Sequence, residues 1–227
     1  MAAEDSHSRL SGDRRHLADL IEDLITARRS IRRYTDQPVP EAWIEAVLRC
    51  GIRAPSASNS QPVRFVRISS PDLRKKLHQA LLEGYAAMLE RNRQADGGVK
   101  LRNRINAYHR YAEFMVNAPV LLAVGTSTGI TSFAGRLVAA GLMEQDPRHG
   151  MDALIAVGLA LKGMLLKAQA LGLGSCILSA PLVFIQDVEG ILSVPDVKIA
   201  CFLALGFPAE SPLPSTRLAL DAVYREL

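Results

Sequence analysis

The segment Arg28-Arg29-Ser30-Ile31-Arg32-Arg33 gathers four guanidinium groups around one hydroxyl. On an extended chain, alternate side chains share a face, so Arg28, Ser30 and Arg32 would point the same way. Two guanidinium forks around a hydroxyl suit the oxygens of a phosphate. In a helix Arg28 and Arg32 would share a face and Ser30 would turn away. The segment would then be a solvated basic helix end, favoured by the helix dipole. A second segment, Ala54-Pro55-Ser56-Ala57-Ser58-Asn59-Ser60-Gln61-Pro62, sets small polar residues between prolines. Such residues form turns for local reasons. Asn59 and Gln61 also add two amides, each able to donate and to accept, as the carbonyl and imide edge of a planar heterocycle requires. Together the two segments describe a place for a phosphate-bearing, planar, polar ligand.

Two further stretches carry chemical interest. Leu171-Gly172-Leu173-Gly174-Ser175-Cys176 leaves a long apolar run through glycines and continues as Ile177-Leu178-Ser179-Ala180-Pro181, a short strand and turn. It is neither a G-x-G-x-x-G nor a P-loop, and its glycines also serve as a simple helix stop. Gly206-Phe207-Pro208-Ala209-Glu210 is followed by Pro214-Ser215-Thr216-Arg217, which places Arg217 on an extended tail able to reach a distant site. The alternative there is an ordinary surface arginine. Other chemistries find less support. The five histidines are scattered without an i, i+4 pair, so no metal site is expected. Ser175 and Cys176 have no identifiable base, and no G-x-S-x-G elbow is present. Cys50, Cys176 and Cys201 are isolated, which fits a reducing compartment better than a disulfide framework.

These residues must be positioned by the rest of the chain. With 227 residues, 48% of them hydrophobic and 22% charged, a single domain with a real core is expected over 14–227, after a disordered lead at 1–13. Leu17, Leu20, Ile21, Leu24 and Ile25 predict a helix ending near Arg28. A second helix follows over 41–51, then a strand over 63–69. Ser70-Pro71 opens a helix carried by Leu73, Leu77, Leu81, Tyr85 and Met88. Asp96-Gly97-Gly98 interrupts, and a basic helix follows over 100–114. The apolar runs 119–125 and 197–206 read as buried strands, and the Gly-rich stretch 127–149 as a candidate mobile cover. The apolar run 151–173 is broken by Lys162, Lys167 and Gln169, so it reads as a helix buried in protein rather than a membrane span. Residues 1–15 lack the apolar core of a secretory signal, and a cytoplasmic protein is expected. Aromatics at 5% and a net charge of +4 argue against a nucleic-acid surface. The sum is a helix-rich α+β arrangement with four or five strands, and no doubly wound sheet.

In order and spacing these segments resemble the nitroreductase-like family of FMN-dependent oxidoreductases. The resemblance spans about residues 17–220 and is weakest over 80–150. It implies a three-layer fold, a central mostly antiparallel sheet flanked by helices, in a homodimer with FMN at the interface and the 151–173 helix packed centrally. It implies that Arg28, Arg29, Ser30, Arg32 and Arg217 hold the phosphate, ribityl chain and pyrimidine edge, with Arg32 near the N1–O2 side. Pro55, Ser56, Ala57, Asn59 and Gln61 match the segment that reaches the flavin from the neighbouring subunit. Leu178 and Ser179 match the strand end lining the ring, with a backbone N–H, that of Ser179, addressing N5. The implied activity is ping-pong hydride transfer from NAD(P)H through flavin N5 to a nitroaromatic, quinone or similar acceptor, with no side chain needed as acid or base. A flavin-binding or storage protein without turnover is the alternative, as is a member of the branches that include flavin destructases and dehalogenases, which Leu178-Ser179-Ala180-Pro181 resembles. Two positions depart from the family pattern: Val63-Arg64 stands where tryptophan is frequent, and Ser215 where some members carry lysine.

Overall fold

Two strands, β2 (Val120–Ser127) and β4 (Val197–Gly206), lie side by side at the centre of a four-stranded antiparallel sheet. β1 (Val63–Arg67) borders β2, and β3 (Gly174–Leu178) borders β4, giving the order β1-β2-β4-β3. The computed structural model describes residues 2–95 and 98–227.

The apolar runs of β2 and β4 lack polar alternation because both faces of the sheet are covered. Leu121, Ala123, Phe202 and Ala204 point into one core, while Leu122, Val124, Leu203 and Leu205 point into the other. The first core is closed by α3 (Pro71–Gln94), α4 (Gly98–Glu113), α7 (Pro181–Phe184) and α8 (Val188–Leu192). The second is closed by α2 (Glu41–Gly51) and α6 (Met151–Ala170), which pack on each other through Ile44, Val47, Val157, Leu161 and Met164. The three layers and the antiparallel centre agree with the expected α+β fold.

Helix ends follow local chemistry. Ser70 accepts the Leu73 N–H and Pro71 occupies the first turn of α3, as expected. α6 ends in a Schellman arrangement: the Leu173 N–H reaches the Ala168 carbonyl, and Gly172 takes φ +73°. Helix α1 runs Ala2–Ala27 and so takes in residues 2–13, where a disordered lead was expected. Of the interruption expected at Asp96-Gly97-Gly98, Asp96 and Gly97 lie outside the described residues; α3 ends before it and α4 begins at Gly98. Within the stretch expected as a mobile cover, α5 (Phe133–Ala139) forms behind a Ser132 cap. Among the described residues, no helix is long and apolar enough to cross a membrane.

Candidate functional site

After α1 the chain becomes extended. Ser30 pairs with Ser175 of β3 as an isolated parallel bridge, and the Ile31 N–H donates to the Ser175 carbonyl at 3.0 Å. The arginine segment thus adds a short fifth rung to the sheet edge, which settles the choice between strand and helix at 28–32. The rung needs Gly174: a Cβ there would lie 2.7 Å from the Ile31 side chain. Ile31 is buried, 7% exposed, so the residues on either side of it are turned away from the core.

A second set of bonds joins this segment to the tail beyond β4. Thr35 N–H donates to the Phe207 carbonyl and Ala209 N–H to the Arg33 carbonyl, both at 2.9 Å. Tyr34 bridges Pro208, and its hydroxyl donates to the Ile31 carbonyl at 2.6 Å. Burial pushes the Tyr34 hydroxyl far above its ordinary range, so it stays a neutral donor. The Glu210 carboxylate accepts the Arg32 N–H at 2.5 Å and the Arg33 N–H at 3.2 Å.

The result is a cavity of about 200 Å³ lined by Arg28, Arg29, Ser30 and Arg32 from one end of the chain, and by Pro212, Leu213, Ser215 and Arg217 from the other. Arg217 Nη1 donates to Ser215 Oγ at 2.6 Å. Arg29 Nη1 donates to the Thr26 and Arg28 carbonyls, and Arg32 lies 5.3 Å from the ring centre of Tyr111 on α4. Among the described residues, none of these four arginines is ion-paired with a carboxylate. Their charge is therefore available to an anion. Behind them lies Cys176, buried at 3% exposure; burial holds its thiol above the ordinary range despite Arg32 and Ser30 beside it. Cys201 is likewise pushed up to about 11 by burial. Both remain thiols near neutral pH, and neither is an activated nucleophile.

The small polar segment stands elsewhere in the chain. Ser56, Gln61 and Pro62 line a cavity of about 150 Å³ with Gly51, Phe65 and Ala156. Ala57, Ser58 and Ser60 line a second, of about 190 Å³, with Ile130, Phe133 and Arg136. Neither cavity includes an arginine of the first site. Ser58, Asn59 and Gln61 all have positive φ, 51°, 52° and 46°, a conformation that non-glycine residues hold only when their surroundings impose it. Ser56 Oγ supports it by accepting the Gln61 N–H at 2.9 Å. Pro55, Ala57, Asn59 and Gln61 are exposed.

At the end of β3 the two expected ring-lining residues part. Ser179 is exposed, but the Leu178 side chain is 3% exposed and belongs to the core against α3 and α7. Strand alternation sends Leu178 inward and leaves Ile177 and Ser179 outward, so Leu178 can offer a ligand only its backbone. Sequence reasoning missed Glu210 and Tyr111 as neighbours of Arg32. Glu210 stands 178 positions from Arg32 in the chain, and no local spacing announces such a pair.

A sequence profile of the nitroreductase family matches residues 25–207. A Thermus thermophilus protein named NADH dehydrogenase is 30% identical over 204 residues, covering 86% of this chain and 90% of that protein. The crystal structure of a BluB-like flavoprotein from Clostridium difficile superposes with a TM-score of 0.73 at 22% identity, covering 91% of this chain and 98% of the other. A Desulfovibrio desulfuricans protein solved in complex with FMN gives a TM-score of 0.63 at 25% identity, covering 91% and 96%. With the match running from the arginine segment to the end of β4, the chain belongs to the nitroreductase family of oxidoreductases.

Proposed function

We propose that this protein is an FMN-dependent NAD(P)H oxidoreductase that works as a homodimer with a flavin at each interface. One observation carries the reading: Arg28, Arg29, Ser30 and Arg32 converge with Ser215 and Arg217 on a single cavity, their guanidinium groups unpaired by any carboxylate among the described residues. A flavin mononucleotide ends in a phosphate dianion, and this donor set fits it. Arg28 and Arg217 supply charge, Ser30 and Ser215 supply hydroxyl donors, and Arg29 flanks them. Ser215 meets the phosphate with a hydroxyl where some relatives bring an ammonium.

When bound, the isoalloxazine supplies a hydride-accepting and hydride-donating centre at N5, the chemistry no side chain of this protein provides. The chain's residues bind and orient it. Arg32 would lie at the pyrimidine edge, where a fixed cation would stabilise negative charge on a reduced ring. The backbone N–H of Ser179, just past the end of β3, would address the ring at N5, with Leu178 contributing backbone alone. Pro55, Ser56, Ala57, Asn59 and Gln61 would approach from the second subunit; Asn59 and Gln61, both left-handed in backbone, are exposed and could offer their amides.

The surface of the single chain supports the dimer. It exposes 15043 Å², whereas a compact monomer of this size exposes about 10,000 Å². Large apolar side chains stand in that surface: Leu154 and Ile155 on α6, Ile21 on α1, and Leu218 and Leu220 in the tail are all more than half exposed. A second copy of the chain would cover them. On this reading the nicotinamide donor and then a nitroaromatic, quinone or related acceptor would use one flavin site in turn, a ping-pong cycle. The unpaired cysteines suit a cytoplasmic setting.

Anaerobic titration tests the reading. Purified protein is expected to be yellow or to take up added FMN, and NADH or NADPH should bleach the flavin. Flavin that stays oxidised with both donors yet is reduced by dithionite would favour a storage protein instead. The likeness to a BluB-like flavoprotein favours, as a second reading, the flavin-destructase branch. Flavin absorbance that air fails to restore after reduction would support it.

A further inference from the structure

We propose that Glu210 is a positioning residue for the cofactor: it fixes Arg32, and through Arg32 the pyrimidine edge of the flavin, without touching the ligand. The inference rests on the flavin reading above and on four observations. The Glu210 carboxylate accepts the N–H groups of both Arg32 and Arg33 through one oxygen, at 2.5 and 3.2 Å. Although it sits among arginines, it forms no ion pair with any of them among the described residues. Glu210 lines a separate cavity of about 380 Å³, together with Arg29, Ile31 and Gly174, and is missing from the lining of the arginine cavity that holds Arg28, Arg32 and Arg217. Finally, the other bonds joining residues 33–35 to residues 207–209 run between backbone groups, so Glu210 adds a side-chain grip at the residue that carries the charge.

This division has a physical logic. A carboxylate aimed at the Arg32 guanidinium would neutralise the charge the flavin needs. Bound instead to two backbone amides, it spends its acceptor capacity on charge-assisted bonds that fix where the Arg32 Cα sits. The guanidinium is left free, resting 5.3 Å from the Tyr111 ring centre. The same grip sets the start of the tail that carries Ser215 and Arg217. One residue therefore registers both halves of the arginine cavity.

The experiment compares wild type, Glu210→Gln and Glu210→Ala, all as full chains stripped of flavin. FMN affinity is read from quenching of flavin fluorescence, and the melting temperature is measured on each apoprotein. Deuterium exchange at the Arg32 and Arg33 amides provides a readout independent of flavin. Alanine leaves two amide donors without their acceptor and is expected to weaken FMN about tenfold. It should also speed exchange at both amides, with the apoprotein melting temperature essentially unchanged. Glutamine keeps an acceptor oxygen and is expected to restore affinity to within about threefold of wild type. The proposal is overturned if alanine binds FMN as wild type does, if glutamine fails as badly as alanine, or if the loss of affinity follows a matching fall in apoprotein stability. A wild-type protein that takes up no FMN overturns the proposed function itself, a result distinct from the other three because it precedes any substitution.

Discussion

Charge at the site is managed one residue at a time. Among the described residues Arg28, Arg32 and Arg217 form no ion pair, and the Glu210 carboxylate beside Arg32 is bound to backbone. Tyr34 stays protonated through burial and ties the Ile31 carbonyl down. Glu189 works differently, and its behaviour with pH can be forecast. Burial raises its pKa, but the Ile199 N–H at 2.9 Å and Lys198 Nζ at 3.3 Å outweigh that and hold the carboxyl below its ordinary value. A carboxyl depressed in the folded state stabilises the protein above its unfolded pKa and loses that contribution as pH falls through the folded value. Glu189→Gln should therefore cost a small amount, under about 1 kcal/mol, at neutral pH. The difference from wild type should shrink from about pH 4.5 downward. Urea unfolding at a series of pH values checks this; a difference constant with pH would contradict it.

At the level of elements, the decisive contact is β3 against the extended arginine segment. Gly174→Ala would drive a methyl group to within 2.7 Å of Ile31. It is expected to cost roughly 1–3 kcal/mol of stability, as overpacking does. Because Ser30 and Arg32 flank Ile31, FMN affinity should fall as well, and Ile31→Ala in the same chain should recover part of both losses. Denaturant unfolding and flavin titration of the single and double variants measure this. The placement of elements was largely legible in the sequence, because both sheet faces and the helix periods write themselves into apolar patterns: 197–206 is a buried strand and α6 a helix. Charge and hydroxyl type alone left Arg28, Ser30 and Arg32 open as a helix end and Arg217 as a surface arginine; the family resemblance joined them, and they line one cavity. What was not legible depends on distant partners. The left-handed backbone of Ser58, Asn59 and Gln61 is imposed by surroundings rather than propensity. The inward turn of Leu178 depends on the register of β3 with β4, and the Glu210 grip on a contact across nearly the whole chain. Residues 2–13, polar enough to read as a loose lead, instead continue α1.

For the molecule as a whole, the two halves of the proposed site do not meet within one chain. The site's arginine residues and the 55–61 segment line different cavities, so on the proposed function a second copy of the chain would complete the site. Sedimentation is expected to give twice the chain mass. Leu154 and Ile155 are 58% and 55% exposed, so replacing both with glutamate should spare the subunit fold, dissociate the dimer and release flavin together. A variant that became monomeric while holding FMN as tightly as wild type would show that one subunit suffices. The claim on which all of this rests is that guanidinium groups from both ends of the chain hold a single phosphate. Fluorescence titration of FMN against wild type and the Arg28→Ala, Arg217→Ala double variant tests it most directly. The account predicts one FMN per subunit for wild type and at least a hundredfold weaker binding for the variant, roughly 3 kcal/mol, with an unchanged melting temperature for the flavin-free protein. Equal affinity in the two proteins would contradict it.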